Sequence, residues 1–405
     1  MDDAQFAELV AWIADEGLAG EEEPELVSGF CTRAVAFGLP LTRAAVLIDT
    51  LHPLYEGHFF GWQADGKTTL REYGSSREGE AQERWLRSPF YRLVESGQPL
   101  LRRRISAESR AEFPSIAELA PDATEFVAMV HRFKAQGIIG EMDCVYSSWA
   151  TDRAEGFGDG DVADLERLVP LLALAVKSAS LTRIARTLVE TYLGRDPGRR
   201  VLAGGIMRGV ADRIESVLWF SDLSSYTRIS DTSPPEQVIP LLNDYADAII
   251  SAIHAHGGDV LKLIGDGTLA IFNGEDREQA CGSALAAAAQ ARTSLAELNR
   301  RRGADGLPTT DMYLALHLGA AFYGNIGSKE RLDFTVIGPA VNEVSRIAAL
   351  CRSLEQPILL SPTFAAAAGK AKERLVSVGR YALRGVSHAQ ELFTVDPTWH
   401  ESRHE

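Results

Sequence analysis

Residues 259–272, DVLKLIGDGTLAIF, leave few choices of fold. Two short runs of alternating apolar character flank Gly265-Asp266-Gly267, and Asp-Gly between such runs closes a tight β-hairpin. Long patterns of helical period lie on either side, PEQVIPLLNDYADAIISAIHAHG before the hairpin and REQACGSALAAAAQARTSLAELNRR after it. SVLWFS precedes the first helix and DMYLALHLGAAFYG follows the second, both reading as strands. The order is βαββαβ, an α+β, ferredoxin-like core with further strands and helices appended, its helices expected to cover one face of an antiparallel sheet.

At 405 residues and 45% hydrophobic content the chain has room for two or three packed domains. Residues 4–38 read as one or two amphipathic helices split at GLAGEEEPE, and strands follow in GLPLTRAAVLIDTLHP and HFFGWQ. Helical pieces are expected near 82–96 and 123–134, another strand in IIGEMDCVYSSWAT, and a turn at GFGDGD. From Asp161 to Gly194 apolar residues recur at three and four spacing, longer than an ordinary globular helix, which suggests a signalling or coiled-coil helix. Pro170 should kink that helix or mark its first turn. GRDPGRR, 194–200, reads as a solvent-exposed joint. The expected division is 1–160 as a regulatory domain, 161–214 as signalling helix and linker, 215–396 as catalytic domain and 397–405 as a tail.

The formal net charge of −15 argues against nucleic acid and anionic membranes as partners, because a polyanion is repelled at long range. Cys31, Cys144, Cys281 and Cys351 show no CxxC spacing and are too sparse for a disulfide framework, so a reducing cytoplasm is expected. The N-terminal MDDAQF is acidic, unlike a secretory signal, and the apolar run LVPLLALAV stops at Lys177, so no membrane span is expected.

Polar signals of one chemical kind appear in order from Ser216 to Arg346. Asp222 follows the apolar strand VLWF and Asp266 occupies the hairpin turn; if the strands are neighbours, the two acids converge. Paired carboxylates suit a pair of Mg²⁺ or Mn²⁺ ions that leave positions open for a triphosphate, and the backbone carbonyl of Leu223 is a further oxygen ligand. Asn342 and Arg346 are four apart in a helical segment and project from one face. The set suits displacement at phosphorus on a nucleoside triphosphate.

The stretches FSDLSSYT, GGDVLKLIGDGTLAIF, LHLGAAFYGNIGS, DFTVIGPAVNEVSRI and YALRGV resemble the class III nucleotidyl cyclases, and the resemblance runs from about Ser216 to Val395. It implies conversion of a nucleoside triphosphate to its 3′,5′-cyclic monophosphate and pyrophosphate, with Asp222 and Asp266 holding two divalent cations. By the same resemblance Asn342 orients the ribose, Arg346 stabilises charge on the α-phosphate, and Arg384 of YALRGV reaches the terminal phosphates. Lys262 and Thr335 match the purine-reading pair. A lysine donor with a threonine acceptor complements N1 and the 6-amino group of adenine, whereas guanylate-forming members carry Glu and Cys there. ATP is therefore the expected substrate, with guanylate or another nucleotidyl cyclase, or a catalytically weak nucleotide-binding signalling protein, as the alternatives. The family also implies a head-to-tail homodimer in which one protomer supplies Asp222 and Asp266 and the other supplies Lys262, Thr335, Asn342 and Arg346. Two positions depart from the family pattern: Ser225 stands where many members have glycine, and Pro339 where aspartate precedes Ala-Val-Asn.

Residues 1–160 look like a GAF-type sensor for an unidentified small molecule. His52 and His58 read as structural histidines, Arg102-Arg103-Arg104 as a solvated face, and GDGDVADLE as a turn and helix cap rather than a calcium loop.

Overall fold

The structure is a computed structural model that describes residues 1–74, 78–133, 142–386 and 388–396. Residues 138–141 of the expected IIGEMDC strand and the tail 397–405 lie outside the described residues. The chain forms two compact units, Met1–Leu188 and Val189–Glu405.

In the first unit, α1 (Asp3–Ala19), α2 (Glu23–Ala36), β1 (Arg43–Asp49), β2 (Gly57–Gln63) and β3 (Thr68–Tyr73) are followed by α3 (Gly79–Leu86) and α4 (Pro89–Ser96). Next come β4 (Leu100–Arg104), α5 (Ala107–Glu112), α6 (Pro114–Leu119), β5 (Glu125–Arg132), β6 (Cys144–Thr151) and α7 (Asp159–Leu193). The strands make one antiparallel sheet in the order β3-β2-β1-β6-β5-β4. Here the helix expected over 123–134 is replaced by strand β5. Its residues Glu125–Val130 are all buried between β4 and β6, and a continuous apolar run in an inner strand has no period to tell it from a buried helix.

The long helix α7 forms as expected, with Pro170 well inside it rather than in its first turn. By length and composition α7 is apolar enough to cross a membrane. Its Leu165, Leu168, Leu172, Val176 and Ile184 are instead buried in a core shared with α1, α2 and one face of the sheet. The Arg102–Arg104 run is not simply solvated, since Arg102 Nε donates to Oε1 of the buried Glu125 at 3.0 Å. His58 is buried, and burial, aided by the nearby Arg183 charge, lowers its pKa to about 4. Among the described residues no three His, Cys, Asp or Glu side chains gather as a metal site, and all four cysteines are free and buried.

The second unit runs α8 (Arg195–Leu202), β7 (Ala211–Leu223), α9 (Tyr226–Thr232), α10 (Pro235–Ala255), β8 (Asp259–Ile264), β9 (Gly267–Phe272), α11 (Arg277–Ala304) and β10 (Met312–Gly327). It continues with β11 (Leu332–Ile337), α12 (Pro339–Ser353), β12 (Ile358–Leu360), α13 (Pro362–Ala367), a 3₁₀ turn (Gly369–Arg374), β13 (Leu375–Tyr381) and β14 (Gln390–Val395). The sheet order is β13-β14-β12-β10-β7-β9-β8, with β11 hydrogen-bonded to the far end of β10. The βαββαβ reading holds, but the sheet is neither wholly antiparallel nor covered on one face. Strands β10 and β12 are parallel. Val217 and Trp219 pack against Tyr245, Ile249, Ala284 and Ala288 of α10 and α11, while Leu218 and Ala315 pack on the opposite face against Val344 and Ile347 of α12. A central strand with four successive buried residues needs a layer on each side.

GRDPGRR is not an exposed joint either. Residues 195–202 form α8, in which Pro197 and Gly198 are buried, and Asp196 Oδ2 accepts hydrogen bonds from Tyr323 Oη and Arg200 Nε, both at 2.8 Å.

Candidate active site

The β8–β9 hairpin places the first site residue. Ile264 pairs with Gly267, leaving a two-residue loop of Gly265, at φ +64°, and Asp266. Strand β9 pairs in turn with β7 up to Ser221–Thr268, so the hairpin tip lies beside the end of β7 where Asp222 sits. Gly267 permits this closeness: a Cβ there would lie 3.0 Å from the Ser221 carbonyl oxygen. The backbone N–H of Leu223 donates to Asp266 Oδ2 at 3.2 Å.

The carboxyl groups of Asp222 and Asp266 come within hydrogen-bonding reach of each other. The pKa of Asp222 is pushed up to about 6, by partial burial, by the hydrogen bond to Asp266 and by that neighbour's charge, with the Leu223 backbone N–H and Arg352 pulling the other way. Since Asp222 is itself exposed, water tempers the burial contribution, and the facing carboxyl is the cause the geometry supports most directly. Two acids crowded at one strand end, with one driven toward its neutral form, are relieved by a shared cation. The donor set is hard oxygen throughout and fits Mg²⁺ or Mn²⁺, with the Leu223 carbonyl adjacent.

Asn342 and Arg346 lie on α12, whose opposite side buries Val344, Ile347, Ala348 and Cys351 in the core. Asn342 is exposed and Arg346 partly so. Pro339 is the first residue of α12 and follows Gly338 at φ +140°; a proline at this position has no intrahelical N–H to lose, so the departure at 339 costs the helix nothing. The Arg346 guanidinium lies against Gly385, where an added Cβ would be 3.5 Å away, and the neighbouring Arg384 is exposed in the same turn. The structure thus brings Arg346 and the YALRGV turn together.

Lys262 is on β8, the edge strand of the sheet, beside a register shift at Val260/Lys262. Thr335 is on β11, opposite Gly324 of β10. Lys262 does not stand free: its Nζ is 2.7 Å from Oδ2 of Asp333, a residue the sequence reading passed over. The available signal was the alternation in Asp333-Phe334-Thr335, which puts Asp333 on the same face of a strand as Thr335. Ser225 takes up φ +57°, a left-handed conformation that glycine would adopt without strain.

The model of the adenylate and guanylate cyclase catalytic domain matches residues 210–396. Residues 210–396 are a class III nucleotidyl cyclase catalytic domain. The chain is 28% identical over 254 residues to Adenylate cyclase 1 of Rhizobium meliloti, covering 60% of this chain and 37% of that protein. It is 34% identical over 157 residues to the adenylate cyclase of Anabaena cylindrica, covering 38% of this chain and 30% of that one. The chain therefore spans roughly a third of the length of these relatives. The solved structure of the adenylyl cyclase CyaB from P. aeruginosa aligns with 46% of this chain and 95% of that one, at a TM-score of 0.43 and 23% identity.

Proposed function

We propose that the protein is an adenylate cyclase that converts ATP to 3′,5′-cyclic AMP and pyrophosphate. The observation that carries the reading is the meeting of the Asp222 and Asp266 carboxyls at the end of β7, within a cyclase catalytic domain whose base-reading positions hold Lys262 and Thr335. The bonds change in one displacement: the ribose 3′-oxygen gives its proton to solvent water and bonds to the α-phosphorus, and the bond from that phosphorus to the oxygen bridging it to the β-phosphorus breaks, that oxygen leaving with the pyrophosphate. Two divalent cations, Mg²⁺ or Mn²⁺, would supply acidity to the 3′-hydroxyl and neutralise the leaving pyrophosphate when bound. Asp222, Asp266 and the Leu223 carbonyl would hold them. Asn342 orients the ribose, Arg346 presents a planar fork to the α-phosphate and Arg384 draws the terminal phosphates. Lys262 donates to adenine N1 and Thr335 Oγ1 accepts from the 6-amino group. The names of the Rhizobium and Anabaena relatives favour the adenylate over the guanylate reading.

The site is composite, formed between two catalytic domains of a head-to-tail homodimer with two equivalent sites. Support comes from apolar side chains left open around the base-reading strands: Leu263 and Ile264 on β8 are 54% and 47% exposed, and Phe322 and Ile337, which face each other across β10 and β11, are 50% and 46% exposed. Apolar surface gathered in this way marks an interface. Residues 1–160, read as a GAF-like sensor, and the α7 helix regulate the cyclase in response to an unidentified small molecule, and the protein works in the cytoplasm. Purified protein incubated with each of the four nucleoside triphosphates and Mn²⁺ or Mg²⁺ should release cyclic AMP from ATP. Cyclic GMP from GTP would move the reading to a guanylate cyclase, and no cyclic product from any nucleotide would end it.

A further inference from the structure

Thr310 lies just before β10, and its backbone is clamped at both polar groups. Its N–H donates to Oη of the buried Tyr245 on α10 at 2.8 Å, Tyr245 donates in turn to Oδ1 of Asn299 on α11, and Asn299 Nδ2 donates back to the Thr310 carbonyl at 2.8 Å. A closed, buried ring of this kind fixes the residue it encloses. The Thr310 hydroxyl then donates to the carbonyl of Ser224, the residue that follows Asp222 and Leu223. The N–H of Ser224 donates to the Asp311 carbonyl at 2.7 Å. That second bond carries on the β7–β10 ladder, in which Leu223 faces Met312, but a hydroxyl has no part in a ladder. Its presence at this point is a reason to look for a function.

One planar peptide joins Leu223 to Ser224, with its C=O and N–H pointing in opposite directions. Because the N–H is held by Asp311 on the β10 side of β7, the Leu223 carbonyl faces the β9 side, where the N–H of Leu223 itself meets Asp266 Oδ2. We infer that Thr310 is a positioning residue for the cation site: clamped by Tyr245 and Asn299, its hydroxyl fixes Ser224 and so keeps the Leu223 carbonyl turned toward the Asp222–Asp266 pair. The inference rests on the cation role given to those two acids above. Beyond Ser224 the chain enters the left-handed Ser225, and without the hydroxyl a single backbone bond would keep the Leu223–Ser224 peptide from turning. A turned peptide would withdraw an oxygen ligand and present the positive end of an N–H dipole in its place. Thr310 touches neither cation nor nucleotide, and its effect is exerted through Leu223.

The test is titration of the full-length protein with Mn²⁺ alone, the free ion being read by its electron paramagnetic resonance signal. Thr310→Val removes the hydroxyl at nearly constant volume and should weaken Mn²⁺ binding about tenfold, the size expected when a group that orients a metal ligand is lost. Thr310→Ser keeps the hydroxyl and should bind within about twofold of the wild type. Tyr245→Phe opens the ring and should act in the same direction by a smaller factor, and combined with Thr310→Val it should weaken binding no further than Thr310→Val alone. Melting in EDTA separates positioning from folding: Thr310→Val leaves the Ser224 carbonyl without its side-chain donor and should melt somewhat lower. A lower transition with Mn²⁺ affinity unchanged would show the hydroxyl to be structural only and overturn the inference, as would an equal loss in Thr310→Ser or additive effects of Thr310→Val and Tyr245→Phe. A wild type that binds no Mn²⁺, or an Asp222→Asn protein that binds it as well as the wild type, would remove the cation reading and this inference with it. Mn²⁺ binding without a cyclic product from any nucleotide would defeat the functional reading alone and leave the Thr310 comparison to stand.

Discussion

Replacing Asp222 with asparagine should stabilise the protein without metal and abolish its response to metal, a reversal that an ordinary surface aspartate would not show. Partial burial, together with the facing Asp266 carboxyl, raises the Asp222 pKa from 3.8 to about 6. At 1.36 kcal/mol per pH unit this corresponds to ~3 kcal/mol. That is an upper figure for an exposed side chain, and screening by water brings it to ~1 kcal/mol. The sign follows from proton binding. The folded-state pKa lies above that of the unfolded chain, so the native protein binds the proton more tightly between about pH 4 and 6, and stability falls as pH rises through that window. At pH 7.5 in EDTA the full penalty is present in the wild type, and Asp222→Asn, which cannot ionise, should melt about 2–4 °C higher for a unit of this size. The advantage should shrink at pH 5 and disappear near pH 4. Saturating Mn²⁺ should invert the order: at a hundred times its Kd a cation stabilises the wild type by about 2.7 kcal/mol, and Asp222→Asn should gain almost none of it. Calorimetry reads this cleanly if the transition followed is the one Mn²⁺ moves in the wild type, since a chain of two units need not unfold in one step. A less stable Asp222→Asn in EDTA at pH 7.5, or equal gains from Mn²⁺ in both proteins, would refute the paired-acid argument.

Arg346→Ala should lower kcat by about 100-fold or more with KM within about threefold, as for a donor that acts on charge developing in the transition state, and Arg346→Lys should not restore it because an ammonium lacks the planar fork. Steady-state cyclic AMP formation measures both, and a KM effect alone would move Arg346 to ground-state binding. Ser225→Gly relieves a left-handed serine and should stabilise the protein by about 0.5 kcal/mol in denaturant titration; destabilisation would mean that the strain is compensated by contacts of the serine. A truncation that begins at Val189 keeps α8 and should change specific activity at matched dimer concentration, whereas one that begins at Val201 also removes the Asp196 acceptor of Tyr323 and should destabilise the remaining unit by about 1–3 kcal/mol. Identical kinetics for the Val189 truncation and the full chain would remove the case for control by residues 1–188.

The parts of the fold that were legible in the sequence are those whose period or turn chemistry is local. The Gly-Asp-Gly hairpin, the two helices around it and the long α7 each carry their signal within a few residues, and each forms where expected. The strand at 125–132 was read as helix because its neighbours on both sides, not its own pattern, make it a buried strand. GRDPGRR looked like a solvated joint because glycine, proline and three arginines favour exposure taken singly. Asp196 is what turns the segment inward, through bonds to Tyr323 and Arg200, and the Tyr323 partner lies 127 residues away in sequence. Asp333 escaped notice for a related reason: its partner lies 71 residues away on another strand.

The meeting of Asp222 with Asp266 shows how a site can be read from local signals only when one tertiary fact is added. Residue types and turn geometry place one acid at a strand end and the other at a hairpin tip, and neither says on which side of the hairpin β7 will pair. Pairing through β8 would set the tip's neighbour differently. The observed order β7-β9-β8, with Ser221 opposite Thr268, brings the strand end to the tip, and Gly267 is what lets the two backbones approach closely enough for the carboxyls to interact. A side chain at 267 should therefore act on the acid pair without altering either acid: the Cβ of Gly267→Ala would press on the Ser221 carbonyl at 3.0 Å and move the hairpin tip away from Asp222.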